Sequence, residues 1–316
     1  MSFIEFGKNI LAIFSEVGFH WQVMRINLFI VAFIFIFEIV ILGPDQSSLK
    51  KIIHLKKSSW VDIQYFLFKA CNLARPITVL MFFGLTWKGN QLGQRWQLNY
   101  LQGLDAFPLA KALITLILSE FLDYWAHRAN HHIPFLWEFH KVHHSAPEMS
   151  VLTDFRGHPG DNLSDFVLRL FPLSILGLTA GEFMPLAMLR IFLSALQHSN
   201  LQWNLGFFGK YLFLSPRAHH FHHSQDPKHH HTNYGFFFPW FDHLFGTWCE
   251  DSNDEEVLNL TYGLEAGTYE KASFLQTIYL PYIKFWQQLW AYGKSYLQQK
   301  LSIVLHQFSM FIFKNK

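Results

Sequence analysis

The chain has 316 residues, of which 51% are hydrophobic and 15% charged, and its formal net charge is +2. That charged share is well below the roughly 25% of soluble proteins, and 35 Phe, 11 Trp and 11 Tyr move the balance further toward a membrane protein with a sizeable wet portion. So small a net charge argues against a nucleic-acid partner, and two cysteines, Cys71 and Cys249, are too few for a disulfide framework or a cysteine metal site.

Residues 1–22 read as an amphipathic, interfacial opening helix, with Phe3, Phe6, Ile10, Ile13 and Phe14 on one face. No cleavable signal opens the chain, so Met1 is read as part of the mature protein. Ile26 to Leu42 has the length of a minimal spanning helix and stops at the turn residues Gly43-Pro44-Asp45. Glu38 falls near its end, free to reach polar surroundings, and is given no function. Lys50 to Lys57 (KKIIHLKK) is a positive cluster that fixes topology. Trp60 to Trp87 is apolar but interrupted by Asp62, Lys69, Arg75 and Pro76, which makes it a kinked or tilted span or a re-entrant hairpin. Gln91 to Gln102 is a polar loop, and Leu104 to Trp125 is the next span.

That span runs into Ser119 to Ser145, SEFLDYWAHRANHHIPFLWEFHKVHHS, which holds six of the 19 histidines. His127 and His131 are four apart, and His140, His143 and His144 follow as H-x-x-H-H. Residues three and four apart share a helix face, so each group can aim several imidazoles at one spot. Far downstream His219, His222 and His223 repeat H-x-x-H-H within SPRAHHFHHSQDPKHHHTNYG. Three histidine boxes predict a metal centre, and because one ion takes only a few protein ligands, eight or more histidines imply two ions. His132 and His220 adjoin these positions as rival registers. Asp123, one turn before His127, is placed to orient a ligand imidazole, the alternatives being a pair with Arg128 or a turn cap. His158, in the R-G-H-P turn Arg156 to Pro159, is assigned a supporting or substrate-side role. His229, His230 and His231 are assigned to a wet loop, and His243 to a hydrogen-bonded pair with Asp242. His20, His54 and His306 stand alone.

Between the second and third boxes, Leu163 to Leu178 and Phe183 to Leu196 form a helical hairpin around Thr179-Ala180-Gly181, which leaves one side of the membrane and returns. After the third box come an aromatic stretch, Tyr234 to Trp248, a solvated acidic loop, Glu250 to Glu256, and an interfacial helical tail, Phe274 to Phe313, with a break at Pro281.

DYWAHRANHH…LWEFHKVHHS, RGHP, QHSN, SPRAHHFHHS, NYG and FDHLFGTW, in that order, resemble the fatty acid hydroxylase/sterol desaturase superfamily of integral-membrane di-iron enzymes over Ser119 to Trp248. The resemblance implies iron ligation by His127, His131, His140, His143, His144, His219, His222 and His223, with His198 as an additional ligand before the third box. It also implies that O2 and supplied electrons are used to hydroxylate, desaturate or cleave a lipid entering from the bilayer. Attack on an unactivated C–H bond needs a redox metal, which zinc is not. The chain carries no flavin, haem or dinucleotide signature, so electrons are expected from a separate ferredoxin-like protein, cytochrome or reductase.

The expected fold is all-α, an integral-membrane helical bundle under a histidine-rich helical cap that holds a di-metal site. Residues 1–103 supply interfacial and transmembrane helices, 104–250 the core with the boxes, and 251–316 the interfacial tail. The distribution of Lys and Arg turns the boxes toward the cytoplasm. A membrane metal-binding or transport protein without oxygenase activity is the rival reading. It predicts ionisable groups along the middle of spans rather than in boxes at their ends. A zinc hydrolase would want an H-E-x-x-H base, which is absent.

Overall fold

The computed structural model describes residues 17–54, 57–82, 92, 95–96, 100–176, 180–249 and 259–314; the opening segment up to residue 16, Thr179 and the acidic run Glu250–Glu256 lie outside them. The described chain is helical, and the sole β feature among these residues is an isolated bridge between Ser224 and Tyr262.

Helix α1 (Val17–Leu42) ends where Gly43 takes φ 81° and returns its N–H to the Ile39 carbonyl, a left-handed cap that glycine adopts without a Cβ penalty. Two short helices follow, α2 (Ser48–Ile53) and α3 (Lys57–Ala70), then α4 (Ala74–Met81). Of the run Trp60 to Trp87, residues 60–82 are described, and they fall in two helices, α3 and α4. Asn72 adopts φ 54° and divides them, and Asp62 turns inward to Arg156 instead of facing lipid.

Helix α5 (Pro108–His132) begins with proline at its first turn, where a missing N–H costs nothing. It ends because Ile133 precedes Pro134, whose ring disfavours helical dihedrals one residue earlier; Ile133 sits at φ −93°, ψ 113°. The chain restarts at once as α6 (Pro134–His140) in a new direction, then makes 3-10 turns at His143–Ser145 and Val151–Phe155.

Of the predicted hairpin, the described residues form two helical arms, the residues 177–179 between them lying outside the described chain. The first arm is α7 (Asp161–Asp165), a π-helical turn (Phe166–Leu170) and α8 (Phe171–Ile175); the second is α9 (Ala180–Gln197), packed on α1. Helices α10 (Gly206–Tyr211), α11 (Pro216–His222) and α12 (Trp240–Phe245) complete the region of the boxes. The tail is one helix, α13 (Phe274–Lys314), which runs through Pro281 without the expected break and packs on α6.

The main core joins Ile30, Val31 and Ile34 of α1 to Tyr65 and Phe66 of α3, Val142, Leu152, Phe155 and Ala195. A second cluster, Phe82, Leu136, Phe139 and Phe285, fixes α6 against α13. Among the described residues Met24–Leu42 is the helix both long and apolar enough to cross a membrane, with mean hydropathy 2.5. Of the run Leu104 to Trp125, residues 108–125 lie in α5, which buries Lys111, Glu120 and Asp123, packs Leu118 and Leu122 inward and exposes Leu109, Leu113 and Ile117.

Candidate metal centre

The break at Pro134 builds the centre. Helix α5 presents His127 and His131 one turn apart, and α6, redirected, brings His140 back beside them, with ring centroids 5.0 Å from His127 and 4.9 Å from His131. The 3-10 turn after α6 adds His143 and His144. His198 stands just past the end of α9. Helix α11, capped by the Ser215 hydroxyl accepting from Ala218 N–H, adds His219 and His222, with His223 as its C-cap.

All nine residues converge, and they divide into two groups. One holds His127, His131, His140, His144 and His222; the other holds His143, His198, His219 and His223. Within each group one potential ligand atom per residue lies within 4.8 Å of every other. The H-x-x-H-H boxes are split between the groups: His140 and His144 go one way and His143 the other.

Three of the nine rings are held by backbone carbonyls. Nδ1–H of His127 donates to Tyr234 O at 3.0 Å, that of His222 to Thr232 O at 2.7 Å, and that of His198 to Ser194 O at 2.8 Å. Each bond fixes a tautomer with Nε2 unprotonated and pointing inward. Nε2 of His198 then faces Nε2 of His143 at 3.2 Å and Nε2 of His219 at 3.1 Å. The buried Nε2 atoms of His131, His140, His144, His222 and His223 have no hydrogen-bond partner. An unsatisfied buried polar atom costs about 1–3 kcal/mol, so the four in the first group and that of His223 in the second call for a partner in each group.

Burial, then the neighbouring imidazoles, hold His127, His131, His143, His144, His219 and His223 well below the ordinary histidine range, and burial pushes His222 down to about 3. These rings are neutral at physiological pH and do not need to shed protons to bind a cation. An all-imidazole donor set suits iron, zinc, copper or nickel. The residues fit two metal ions.

The carbonyl ligand-holders rest on a second layer that the box spacing gives no hint of. Glu120 accepts the N–H groups of Phe236, Phe237 and Phe238, and Asp242 accepts those of Tyr234 and Gly235 and the Thr247 hydroxyl. Asn233, at φ 54°, donates from Nδ2 to Ala218 O and Cys249 O. A Cβ on Gly235 would meet Phe238 O at 2.4 Å, so the loop closes this tightly only with glycine there. The signal in the sequence is the NYG and FDHLFGTW pair, whose residues make these bonds.

Several assignments change. Asp123 does not orient a ligand: its carboxylate lies between Arg169, at 3.0 Å, and Arg190, and the Tyr234 carbonyl takes the position beside His127. Arg128 instead donates to the Tyr124 hydroxyl. His158 is stacked on Phe139, donates to Ile278 O and accepts from Gly160 N–H, so both nitrogens are used away from the centre. His243 donates to Lys210 O instead of pairing with Asp242. His220 is consumed by Tyr262 and Ser199 O, and His132 by Tyr234 and a stack with His231, which removes both rival registers. Of the predicted wet loop, His230 and His231 are exposed but His229 is buried against Phe221.

A cleft of about 390 Å³ opens onto His131, His144, His222, His223 and Trp137, with Lys141, Gln225 and Glu265 in its wall.

Residues 112–247 match the model of the fatty acid hydroxylase family. The chain is 34% identical over 144 residues to an ornithine lipid hydroxylase of Rhizobium tropici, covering 45% of this chain and 43% of that protein. It is 29% identical to a very-long-chain aldehyde decarbonylase of Oryza sativa subsp. indica, covering 64% of this chain and 37% of that one. To an alkylglycerol monooxygenase of Danio rerio it is 28% identical, covering 57% and 38%. The chain thus spans less than half the length of each of these relatives. No solved structure matches it.

Proposed function

We propose that this chain, which through residues 112–247 belongs to the fatty acid hydroxylase/sterol desaturase superfamily, is a membrane-bound di-iron oxygenase that hydroxylates or desaturates a lipid. The observation that carries this reading is the convergence of nine histidines, six buried and three half-buried, into sets of five and four, within each of which one potential ligand atom per residue lies within 4.8 Å of every other. Iron, when bound, supplies the redox chemistry toward O2 that zinc lacks. The protein's part is to keep the imidazoles neutral, fix their tautomers through Tyr234, Thr232 and Ser194, and admit reactants through the cleft beside His144 and His223. The relatives' named activities all concern lipids, and a lipid substrate agrees with a centre built at the end of apolar helices. Electrons come from a separate donor.

Two features support a bilayer placement. Helix α1 exposes Phe29, Phe33, Ile36 and Val40, and α5 exposes Leu109, Leu113, Ile117, Phe121 and Trp125 down one side, with its histidines beyond the last of these. From Leu109 to Trp125 is about 24 Å along a helix axis, most of the hydrocarbon thickness of a bilayer. At the far end Lys111 pairs with Asp105. The metal-bearing end is also the end with the lysine cluster, since Lys51 donates to Asn200 and to Met149 O, and this favours the cytoplasmic side.

Purified protein from iron-replete cells is expected to carry about two metal ions per chain, as nine imidazoles overfill one octahedral site. It should consume O2 when given electrons, and cells expressing it should accumulate a lipid heavier by one oxygen or lighter by two hydrogens. Full activity at one metal ion per chain would refute the di-iron reading.

A further inference from the structure

We propose that the connection between His198 and the third box, together with the tip of α12, is an aromatic collar inserted into the lipid of one leaflet at the metal-bearing end of the molecule. Residues 203–213 read WNLGFFGKYLF, and Trp203, Leu205, Phe207, Phe208, Tyr211 and Phe213 are all exposed, Phe207 to 66% and Phe208 to 59%. Leu244 of α12 is 70% exposed beside Trp240. A contiguous apolar surface of this kind marks an interaction site, and Trp and Tyr beside a single lysine suit the boundary between acyl chains and headgroups.

The collar is braced from beneath. Trp240 Nε1–H donates to Tyr211 O at 2.6 Å, His243 Nε2–H to Lys210 O at 2.7 Å, and Phe238 stacks on Trp240 at 4.1 Å. Gly209 packs so closely on Asn204 O that a Cβ would lie 1.7 Å from it. The outward rings are therefore presented by a fixed frame.

Two separate helices set its depth. Trp203 meets Phe37 of α1 edge-on at 5.8 Å, five residues before that helix ends at Leu42. Phe241 and Phe245 of α12 meet Phe121 at 5.4 Å and Trp125 at 5.0 Å, at the end of the apolar side of α5, just before His127. Both contacts put the collar level with the last apolar turns of a lipid-facing helix, and so continuous with their exposed faces. This inference rests on the membrane placement proposed above and extends it. Helix α11 starts against the collar, where Arg217 N–H donates to Trp203 O, and ends at His222. Its seven residues span about 10 Å, which puts the metal centre at headgroup depth instead of clear of the membrane.

The test uses the full chain with Cys71→Ser and Cys249→Ser, carrying a nitroxide on a single cysteine at Phe208, Ile117 or His230. The protein is reconstituted in phosphatidylcholine vesicles, with spin relaxation measured against O2, which partitions into lipid, and a water-soluble nickel chelate on both sides. Phe208 and Ile117 should favour O2 and His230 nickel, a reversal of the ratio. The collar is overturned if Phe208 behaves like His230 while Ile117 reports lipid, an outcome that leaves the membrane placement intact. A watery Ile117 overturns the placement itself. Leu244, read the same way, must agree with Phe208.

Discussion

His222 and His143 show how ligand and neighbour are told apart. Each belongs to a different group of converging nitrogens, whereas His230 is exposed and bonds only to Gln225 O. Replacing His222 or His143 by Ala is expected to abolish turnover and lower metal content, while His230→Ala leaves both near wild type. Equal damage from His230→Ala, measured by metal analysis and O2 uptake, would refute the assignment. The spacing rule makes the boxes legible because residues on one helix face are a few positions apart in sequence. Asp123 was not legible, since the arginines that claim it lie at 169 and 190 on other elements. His158 yields a pH prediction. Burial pushes it down to about 4, against an ordinary value near 6.5. A depressed histidine stabilises the fold in full above its unfolded pKa, and that contribution is lost as pH falls from about 6.5 toward 4, at up to about 1.4 kcal/mol per pH unit. The metal-free protein should melt at lower temperature at pH 5 than at pH 7, and His158→Gln should flatten part of that slope. An unchanged slope in the variant would show that the ring is not held neutral.

At the scale of elements, polar groups inside the helix assembly connect segments that the sequence shows as unrelated. Arg156 is 1% exposed and pairs with Asp62 of α3, while its Nη2 donates to Ser58 O and Oγ, both at 2.6 Å. This is the physical content of the R-G-H-P turn: it fastens the chain after the second box to α3. Removing one member of a buried pair strands the other, at roughly 3–5 kcal/mol. Arg156→Ala should lower stability by about that amount in thermal or chemical unfolding, and Arg156→Lys should recover only part of it, because a single ammonium cannot span the same acceptors. A loss under about 0.5 kcal/mol, the size of an ordinary surface substitution, would contradict the buried role. Glu38 follows the same pattern. From sequence it is a carboxylate near a helix end, yet it is fully buried, accepting from the backbone N–H groups of Ser48 and Asn200. It ties the end of α1 to the turn that carries His198, and nothing local to either segment announces that contact. The proline at 134 is the opposite case, a local rule with a tertiary result, for it ends α5 where the site needs a change of direction.

For the whole molecule, the claim that matters most is that every histidine in the centre lies on one side of the membrane, at one end of α5. The boxes are separated by the α7–α9 hairpin, so that segment must leave the metal-bearing end and come back to it. The charged and exposed ends of α5 supply probes. Asp105 is exposed at the start of the helix, and His230 is exposed on the rim of the cleft at its other end. Ser145 and Ser215 make poorer probes, since both are buried and Ser215 caps α11. Single cysteines at Asp105 and His230, with Cys71 and Cys249 replaced by serine, should divide under an impermeant thiol reagent applied to intact cells. Asp105 should label and His230 should label only after the cells are opened. If both label from outside, or neither does, α5 does not cross and the lipid-facing reading of its Leu109-to-Trp125 side fails. If His230 labels and Asp105 does not, the helix crosses in the other sense, and the lysine cluster beside Asn200 faces out against the positive-inside rule. The expected pattern puts the metal centre where a cytoplasmic electron donor and a bilayer lipid can both reach it.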